Sequence, residues 1–303
     1  MAISRAQLVK ELEPGLNALF GLEYKRYENQ HAEIYTSESS DRAFEEEVML
    51  SGFANAQVKA EGSGVSFDEA QETFTARYTH ETVALAFAIT EEAIEDNLYD
   101  RLASRYTKAL ARSMSNAKQV KAVEPLINGL PSTDGFDSGD GVSLFNTAHP
   151  TVNGSFKNTL TVQADLNETS LEQSMIDIGK MTDERGLKIA ARGLKMIIPS
   201  ELQFTAERLM KSQGRTGTAD NDINAIVSMG MIPQGYRVNN YLTDTDAFYI
   251  ITDVPNGMKM FTRAPLTTAM EGDFDTGNVR YKARERYSFG VSDPRGIFGV
   301  EGA

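Results

Sequence analysis

The chain has 303 residues, of which 41% are hydrophobic and 24% charged, as is typical of an ordered globular protein with one large domain or two. It contains no cysteine, which excludes disulfides and thiolate metal sites, and it has no apolar run long enough for a membrane helix. Its formal net charge of −13 argues against direct gripping of nucleic acid, yet equally suits a protein that lies beside nucleic acid without adhering to it.

The first 40 residues are predicted to form a short helix and then an extended arm. A helix over residues 3–20 is indicated by leucines that recur on one face. They are Leu8, Leu12, Leu16 and Leu19. Pro14 lies inside this helix and is expected to bend or split it. Residues 21–40 are polar and weakly periodic, which favours an extended arm or an ordinary surface loop about equally.

Residues 41–90 alternate apolar and polar side chains with a period close to two, which predicts β-strands. The apolar positions are Val48, Leu50, Phe53, Val65, Phe67, Phe74, Ala76, Tyr78, Val83, Leu85, Phe87 and Ile89. Gly62, Ser63 and Gly64 predict a turn between two of these runs. We expect a long two-stranded ribbon that must rest on another surface, because an isolated hairpin is marginal in water.

Residues 91–123 are predicted to form a long helix around which the chain is organised. Apolar or small side chains recur there at three- and four-residue steps. They are Ile94, Leu98, Leu102, Tyr106, Ala109, Leu110, Ser113 and Ala117. Thr90 is the predicted N-cap, and Pro125 is expected to stop the helix because it disfavours a helical residue before it. At 1.5 Å per residue such a helix would be about 50 Å long.

The remainder of the chain is predicted to mix helices and strands, which makes the fold class α+β. The predicted elements are a loop at 128–140, a helix at 170–183, a strand at 194–198, a helix capped by Ser200 and running to Lys211, a surface loop at 213–222, strands at 236–240, 248–252, 258–262, 278–286 and 287–291, and a turn at 293–296. No internal repeat is visible.

Residues that could carry catalysis or bind a metal are scarce. The three histidines, His31, His80 and His149, are scattered, and His149 before a proline is interpreted as structural. There is no Gly-x-Ser-x-Gly elbow, and the glycine-rich residues 214–218 lack the lysine of a phosphate-binding loop. Three aspartates resemble a calcium loop but lack its spacing, so a solvated loop is preferred. They are Asp134, Asp137 and Asp140. We therefore expect no enzyme activity, no cofactor and no metal.

Two charged segments are candidates for contacts between subunits. Glu45, Glu46 and Glu47 stand at the foot of the predicted ribbon, and are either a solvated run or the partner of a basic patch. The basic residues of one late strand share a face. They are Arg280, Lys282, Arg284 and Arg286. That face could meet nucleic acid, but in a chain this acidic it more plausibly meets acidic side chains of a neighbouring copy.

Several segments, in their order along the chain, resemble the major capsid (head) proteins of tailed bacteriophages. They are residues 144–150 (Leu-Phe-Asn-Thr-Ala-His-Pro), residues 193–202 (Gly-Leu-Lys-Met-Ile-Ile-Pro-Ser-Glu-Leu), residues 284–290 (Arg-Glu-Arg-Tyr-Ser-Phe-Gly) and residues 293–299 (Asp-Pro-Arg-Gly-Ile-Phe-Gly). The resemblance implies a structural protein that assembles into hexamers and pentamers of an icosahedral head around double-stranded DNA. It also implies location in the virion after assembly in the host cytoplasm.

The same resemblance implies a division of the chain into five segments of the tailed-phage capsid fold. They are an N-terminal arm (1–40), an extended β-hairpin loop (41–80), a peripheral domain (81–184) with the spine helix 91–123, an axial domain (185–260) and a return to the peripheral domain (261–303). Some relatives crosslink a lysine to an asparagine of the neighbouring subunit. Lys59, near the tip of the ribbon, is a conceivable donor, but no motif supports that role.

Further partners follow from the resemblance, and two other classes of protein remain open. A separate scaffolding protein is implied unless the chain is already processed, together with a portal, a possible decoration protein, and packaged DNA held without sequence-specific binding. An encapsulin-like compartment shell would share the fold but enclose enzymes. A soluble enzyme with an unrecognised site is the third alternative, against which the scarcity of catalytic residues stands.

Overall fold

The computed structural model describes residues 5–90, 92–93, 99–133, 135–214, 223–273 and 277–303. The helices found there are α1 (Arg5–Arg26), α2 (Tyr99–Asn128), α3 (Glu168–Gly179), α4 (Gln203–Lys211) and α5 (Ala225–Met229). The strands are β1 (Thr36–Ser39), β2 (Phe44–Leu50), β3 (Glu72–Thr79), β4 (Glu81–Ile89), β5 (His149–Thr151), β6 (Gly154–Phe156), β7 (Gly193–Ile198), β8 (Tyr236–Val238), β9 (Phe248–Thr252), β10 (Met258–Gly272), β11 (Val279–Val291) and β12 (Ile297–Val300).

Two four-stranded sheets form the body, and this arrangement confirms the α+β class. The first sheet has the order β1-β10-β11-β4, and the second has the order β12-β9-β7-β8. In the first sheet β11 runs antiparallel to both β10 and β4, while β1 lies parallel to β10. In the second sheet β7 is parallel to β8 and antiparallel to β9. The last strand, β12, therefore closes the second sheet and not the first.

The first sheet is covered on one face by α1 and α2. Strand β11 alternates buried and exposed residues, as a strand does when one face is packed and the other is not. Its inward side chains Tyr281 and Ala283 meet Phe20 of α1 and Met114 of α2 in one buried cluster. A fully buried side chain of this size contributes about 1.5–3 kcal/mol, so these contacts hold both helices against the sheet.

The long helix is present, but its predicted end is wrong. Thr90 does accept a hydrogen bond from the backbone of Ala93, at 3.4 Å, while residues 91 and 94–98 lie outside the described part. The helix continues through Pro125 to Asn128. Leu126 is buried in the central core, and this burial outweighs the hydrogen bond that proline cannot donate. The described helix is 30 residues long, or about 45 Å.

The N-terminal segment also differs from its prediction. Helix α1 is continuous through Pro14 and reaches Arg26, so residues 21–26 are helical and not extended. The buried Phe20 anchors its second half against the body. Beyond it, Tyr35 enters the central core, and β1 adds to the first sheet. The prediction of an extended arm therefore holds only for strand β1, and that strand pairs with β10.

Smaller corrections concern where elements begin and end. Helix α3 begins earlier than predicted, because Asn167 and Ser170 form a capping box, and it ends at Gly179. Ser200 does not cap α4 but lies in a 3₁₀ turn, Ser200–Leu202, that precedes it. The two tail strands predicted around residue 286 are one strand, β11, because it pairs with β10 on one side and β4 on the other. The predicted loop at 213–222 lies mostly outside the described residues.

The closing turn of the chain requires two glycines. The backbone of Gly296 lies against that of Gly257, so that a Cβ added to Gly296 would stand 2.3 Å from the Gly257 Cα. Backbone hydrogen bonds from Ser292 and Asp293 to this neighbouring loop, at 3.0 and 2.9 Å, hold the two segments together. Neither segment can retreat without losing these bonds.

We expect Gly296→Ala to lower the free energy of unfolding of the unassembled subunit by about 1–3 kcal/mol, because the added methyl overpacks a backbone contact. Denaturant unfolding followed by circular dichroism measures it. Gly179→Ala is the matched control, since nothing lies within 4 Å of its Cβ position, and we expect no loss of stability there. Equal stability of the two variants would show that the turn can move apart.

Candidate assembly interface

Only the first part of the predicted ribbon exists, because residues 81–89 form β4 of the first sheet and pair with β11. The foot of the ribbon is firmly anchored. Strands β2 and β3 pair antiparallel, with Glu45 opposite Tyr78 and Glu47 opposite Ala76. The Tyr78 ring packs on Phe261 at a centroid distance of 4.8 Å, and its hydroxyl shares a 2.5 Å hydrogen bond with Ser292. Gly290 lies beneath this ring, and any side chain there would collide with it.

A buried lysine also fastens the foot of the ribbon. The Lys259 side chain is 7% exposed and bonds Glu47 at 2.5 Å and Glu38 at 3.1 Å. Burial alone would lower the pKa of Lys259, but the hydrogen bonds to the two glutamates outweigh it and raise that pKa. One member of the predicted acidic run is therefore committed to the body of its own chain.

The far part of the ribbon, residues 51–71, has no strand. The strand expected around Val65 and Phe67 is absent, because no neighbouring strand pairs with it. The segment closes where Ser51 and Gln71 exchange hydrogen bonds, and its predicted tip turn is confirmed at Gly62. Its large apolar side chains point into solvent, and they are Phe53, Val58, Val65 and Phe67. Phe67 is 98% exposed, although burial would stabilise it by about 1.5–3 kcal/mol.

The basic residues of β11 lie on one face, as predicted, but Arg286 is half-buried while Arg280, Lys282 and Arg284 are exposed. The residues between them face the core. The basic row consists of Arg280, Lys282, Arg284 and Arg286. On β4, alanines stand opposite Arg280, Lys282 and Arg284, and they are Ala88, Ala86 and Ala84. On β10, Thr267 stands opposite Arg284 and Ala269 opposite Lys282. Small side chains thus border Lys282 and Arg284 on both sides, while Glu271 of β10 stands opposite Arg280. A groove of about 660 Å³ opens beside Arg280 and Lys282.

The acidic run and the basic row approach each other at one end within the chain. His80 bonds Ser40 at 2.9 Å and Ser288 at 3.0 Å. Burial lowers the pKa of His80, Arg286 lowers it further, and Glu45 opposes both. Within the described residues no ion pair joins the acidic run to the basic row.

The remaining residues predicted to contact other subunits differ in whether they already bind a side chain of their own chain. Glu45 accepts a hydrogen bond from Ser40 at 2.7 Å. Glu46 lies 3.7 Å from Arg77 across the ribbon, with both side chains about half exposed. Arg280 pairs with Asp273 at 2.5 Å. Lys59 is exposed near the tip turn.

His149 has a structural environment. Its ring is fully buried and stacks on Phe156 at 4.7 Å. Nδ1 lies 2.7 Å from Asp140, and Nε2 lies 2.9 Å from the side-chain oxygen of Asn158. The amide group of Asn158 donates to two backbone carbonyls, so its oxygen is an acceptor. Both ring nitrogens therefore face acceptors, which is the arrangement of an imidazolium paired with a carboxylate.

The prediction of a solvated aspartate loop is wrong for Asp140, whose side chain is 2% exposed. Burial would raise the pKa of Asp140, but hydrogen bonds from His149 and Ser138 hold it below the usual value. Asp137 is exposed, and Asp134 lies outside the described residues. No group of three or more metal-ligating side chains occurs among the residues that the structure describes.

Sequence reasoning missed three buried ion pairs, two of which share Arg295. Glu285 faces inward between two basic residues and bonds Lys118 of α2 at 3.2 Å. Burial raises the pKa of Glu285, and Lys118 opposes this. Arg295 bonds Glu184 at 2.5 Å and Asp293 at 3.2 Å. Strand alternation predicts that Glu285 points inward, but nothing local identifies Lys118 or Glu184 as a partner.

The comparisons with known proteins agree with this architecture. The family model described as phage capsid protein matches residues 72–300. No curated protein sequence matches the chain. None of the described helices is long and apolar enough to cross a membrane.

Solved structures of a virus-like particle and of phage capsids have the same fold at low sequence identity. The virus-like particle from Pyrococcus furiosus superimposes with a TM-score of 0.54 and 11% identity, covering 95% of this chain and 98% of that one. The procapsid of bacteriophage JBD30 gives 0.54 and 14%, covering 99% of this chain and 77% of that one. The capsid of Myoviridae phage XM1 gives 0.53 and 12%, covering 89% of each.

The fold is that of solved phage capsid structures. Because the family match spans most of the length, the chain belongs to the phage capsid protein family. It is a structural major capsid protein, and its fold and family are those of a protein that acts by assembly.

We expect Asp140→Asn to lower the free energy of unfolding by about 3–5 kcal/mol at pH 6, because it leaves a buried imidazolium without its counter-charge. The lowered pKa of Asp140 gives the sign of the pH dependence. The difference from wild type is complete above the ordinary aspartate pKa of about 3.9, and is lost as the pH falls through the lower folded-state value.

Denaturant unfolding between pH 6 and pH 3 measures this difference, with Asp137→Asn, an exposed change in the same loop, as the control. A difference that stays constant down to pH 3 would show that Asp140 is not ionised in the folded subunit.

Proposed function

We propose that the chain assembles into hexamers and pentamers that form the icosahedral head of a bacteriophage around double-stranded DNA. The observation that carries this proposal is the ribbon, which has a rigid foot and an uncovered apolar end. Its exposed phenylalanines and valines have no partner surface in the described part of the chain. A neighbouring copy would supply that surface, so that stability and assembly are linked.

We propose that the basic row of one copy binds the acidic ribbon of the next copy. Glu46, which is half exposed, is the member of the acidic run best able to reach another chain. Residues 51–71 add acidic side chains in excess of Lys59, and these are Glu61, Asp68 and Glu69. A contact of this kind repeats around a ring of identical subunits, and its charges set register and direction.

The proposal includes the partners and location that the fold suggests. A separate scaffolding protein, a portal and a possible decoration protein would complete the particle, which would form in the host cytoplasm. Packaged DNA would lie beside the shell without sequence-specific binding, consistent with the net charge of −13. The five-segment division, at residues 1–40, 41–80, 81–184, 185–260 and 261–303, is part of the same proposal.

A second candidate function is an encapsulin-like compartment shell. The observation that favours it is the likeness to the Pyrococcus furiosus virus-like particle, which covers nearly all of both chains. The match to the phage capsid protein family favours the head. Analysis of the contents of purified shells, as DNA or as enzyme cargo, separates the two.

The first test removes the end of the ribbon. Replacing residues 53–69 by a short Gly-Ser turn keeps the hydrogen-bonded closure at Ser51 and Gln71. We expect folded subunits or single rings and no closed shells, because the exposed apolar contacts are gone. Sedimentation and electron microscopy measure the outcome, and circular dichroism confirms the fold.

Removal of residues 1–35 is a poorer test, since Phe20, Ile34 and Tyr35 are part of the buried core and the truncated subunit would lose stability.

Wild-type yields of closed shells from the ribbon-shortened chain would overturn the proposed role of the ribbon.

The second test reverses charges. We expect Arg284→Glu to reduce shell yield several-fold without unfolding the subunit, and Glu46→Arg in the same chain to restore part of the yield. Each exposed pair contributes only about 0.2–1 kcal/mol, but the contact is repeated around every ring.

Sedimentation of the single and double variants measures the recovery. Lys108→Glu is the control, since it makes the same charge change at an exposed position of α2. If the double variant assembles no better than the worse single variant, the two patches do not meet, although the ribbon could still drive assembly.

A further inference from the structure

The long helix α2 has a charge opposite to that of the whole chain. Residues 101–123 include six of the chain's 30 basic residues and no aspartate or glutamate, although the chain has 43 acidic residues in all. Two of the six are compensated by other elements, since Lys118 bonds Glu285 and Lys121 bonds Glu81. The other basic residues have no acidic residue within this stretch of the helix.

Three of these other basic residues lie together on the outer side of α2. Arg105, Lys108 and Arg112 are exposed, and within the described part of the chain their side chains form no hydrogen bond or ion pair. Their spacing of three and four residues makes them neighbours along about 10 Å of the helix axis. Ser113 and Asn116, both exposed, continue this surface toward the end of the helix. We call these five residues the cationic face of α2.

The cationic face does not hold the subunit together. The opposite side of α2 does so, through Leu110, Ala111 and Met114, which are buried against α1 and the first sheet. Like charges three or four residues apart on a helix repel each other and slightly destabilise it. A polyanion that bound the face would remove this repulsion.

The side chains around the three cations favour nucleic acid over an acidic protein as the polyanion. Contacts between proteins need apolar or aromatic anchors at their centre, but between these cations lies the small Ala109, and the neighbouring Tyr106 packs its ring on Phe87 at 5.7 Å. Serine and asparagine, by contrast, commonly donate to phosphate oxygens. Each strand of duplex DNA has a phosphate every 3.4 Å or so along the axis, and therefore about three phosphates in 10 Å.

We propose that the cationic face of α2 binds the phosphate backbone of double-stranded DNA without sequence preference. Arg105, Lys108 and Arg112 would pair with phosphates, and Ser113 and Asn116 would donate hydrogen bonds to them. The inference rests on the proposed function, which brings DNA to the shell, but not on the ribbon contact. The net charge of −13 does not prevent it, because charges more than about 8 Å away are largely screened at physiological salt.

The first experiment measures how unassembled full-length subunits bind a short DNA duplex of mixed sequence, by fluorescence anisotropy between about 20 and 200 mM salt. Three phosphate contacts predict that the logarithm of the binding constant falls with that of the salt concentration with a slope of about −2.7. Arg105→Gln, Lys108→Gln and Arg112→Gln should each bring the slope to about −1.8 and weaken binding about tenfold at about 50 mM salt. Glutamine is a good helix former, so α2 is retained.

Lys282→Gln is the matched control, because Lys282 is an exposed basic residue of β11 and not of α2. We expect it to leave the slope and the affinity unchanged. The proposal is overturned if the duplex does not bind at the lowest salt, if the α2 variants keep the wild-type slope, or if Lys282→Gln has an equal effect. It is also overturned if an oligoglutamate of equal charge binds more tightly than the duplex, since the face would then fit an acidic protein.

The second experiment locates the contact in particles. We expect acylation of Lys108 to be several-fold slower in DNA-filled heads than in emptied heads, because phosphates cover its ammonium group. Lys188, an exposed residue between α3 and β7, should react equally in both. Equal reactivity of Lys108 in both would overturn the proposal. If no heads form, the proposed function fails, while the titration of subunits still decides whether α2 binds DNA.

Discussion

The alternation of side chains along residues 279–287 of β11 is the constraint on which the rest of the structure depends. The residues that point inward, among them Tyr281 and Ala283, form the core that holds α1 and α2. Their neighbours, such as Lys282 and Arg284, must then point outward. A slip of one residue would bury four basic side chains and expose two tyrosines, so pairing with β10 and β4 fixes core and surface together. The basic row is a consequence of how the core is built.

Strand β11 also determines how the foot of the ribbon is held against the body. Gly290, at the end of β11, makes room for the Tyr78 ring, and Lys259 on the neighbouring strand holds Glu47. The ribbon therefore leaves the body in a defined direction, while its far part stays uncovered. Burying a side chain such as Phe67 yields about 1.5–3 kcal/mol, whereas an exposed ion pair yields about 0.2–1 kcal/mol. In the proposed assembly, apolar contacts would therefore supply most of the affinity between copies, and charges would select the register.

Local patterns in the sequence correctly predicted the helices and strands that neighbouring residues determine. The ribbon pairing and the basic face of β11 follow from a period of two, whereas β7 and β9 follow from short apolar runs next to turn residues. The predictions were wrong where tertiary contacts determine the structure. Helix α2 continues past Pro125 because Leu126 is buried in the core. The strand predicted around Val65 is absent because no other strand pairs with it. The candidate contacts were predicted as types of residue and not as pairs. Lys259 meets Glu47 across 212 positions of sequence, and no periodicity reports such a distance.

An acidic chain can carry a basic contact surface because the two charges act over different ranges. Copies with a net charge of −13 repel each other as whole bodies, over distances comparable to their own size. At physiological salt the screening length is about 8 Å, which removes most of this repulsion before the surfaces meet. Groups a few ångströms apart and partly desolvated are screened much less, so the basic row still acts once a neighbour arrives. Small alanine side chains beside the row leave that surface open to an approaching chain. In the proposed assembly, the basic row of β11 would therefore act at short range although the chain as a whole is acidic.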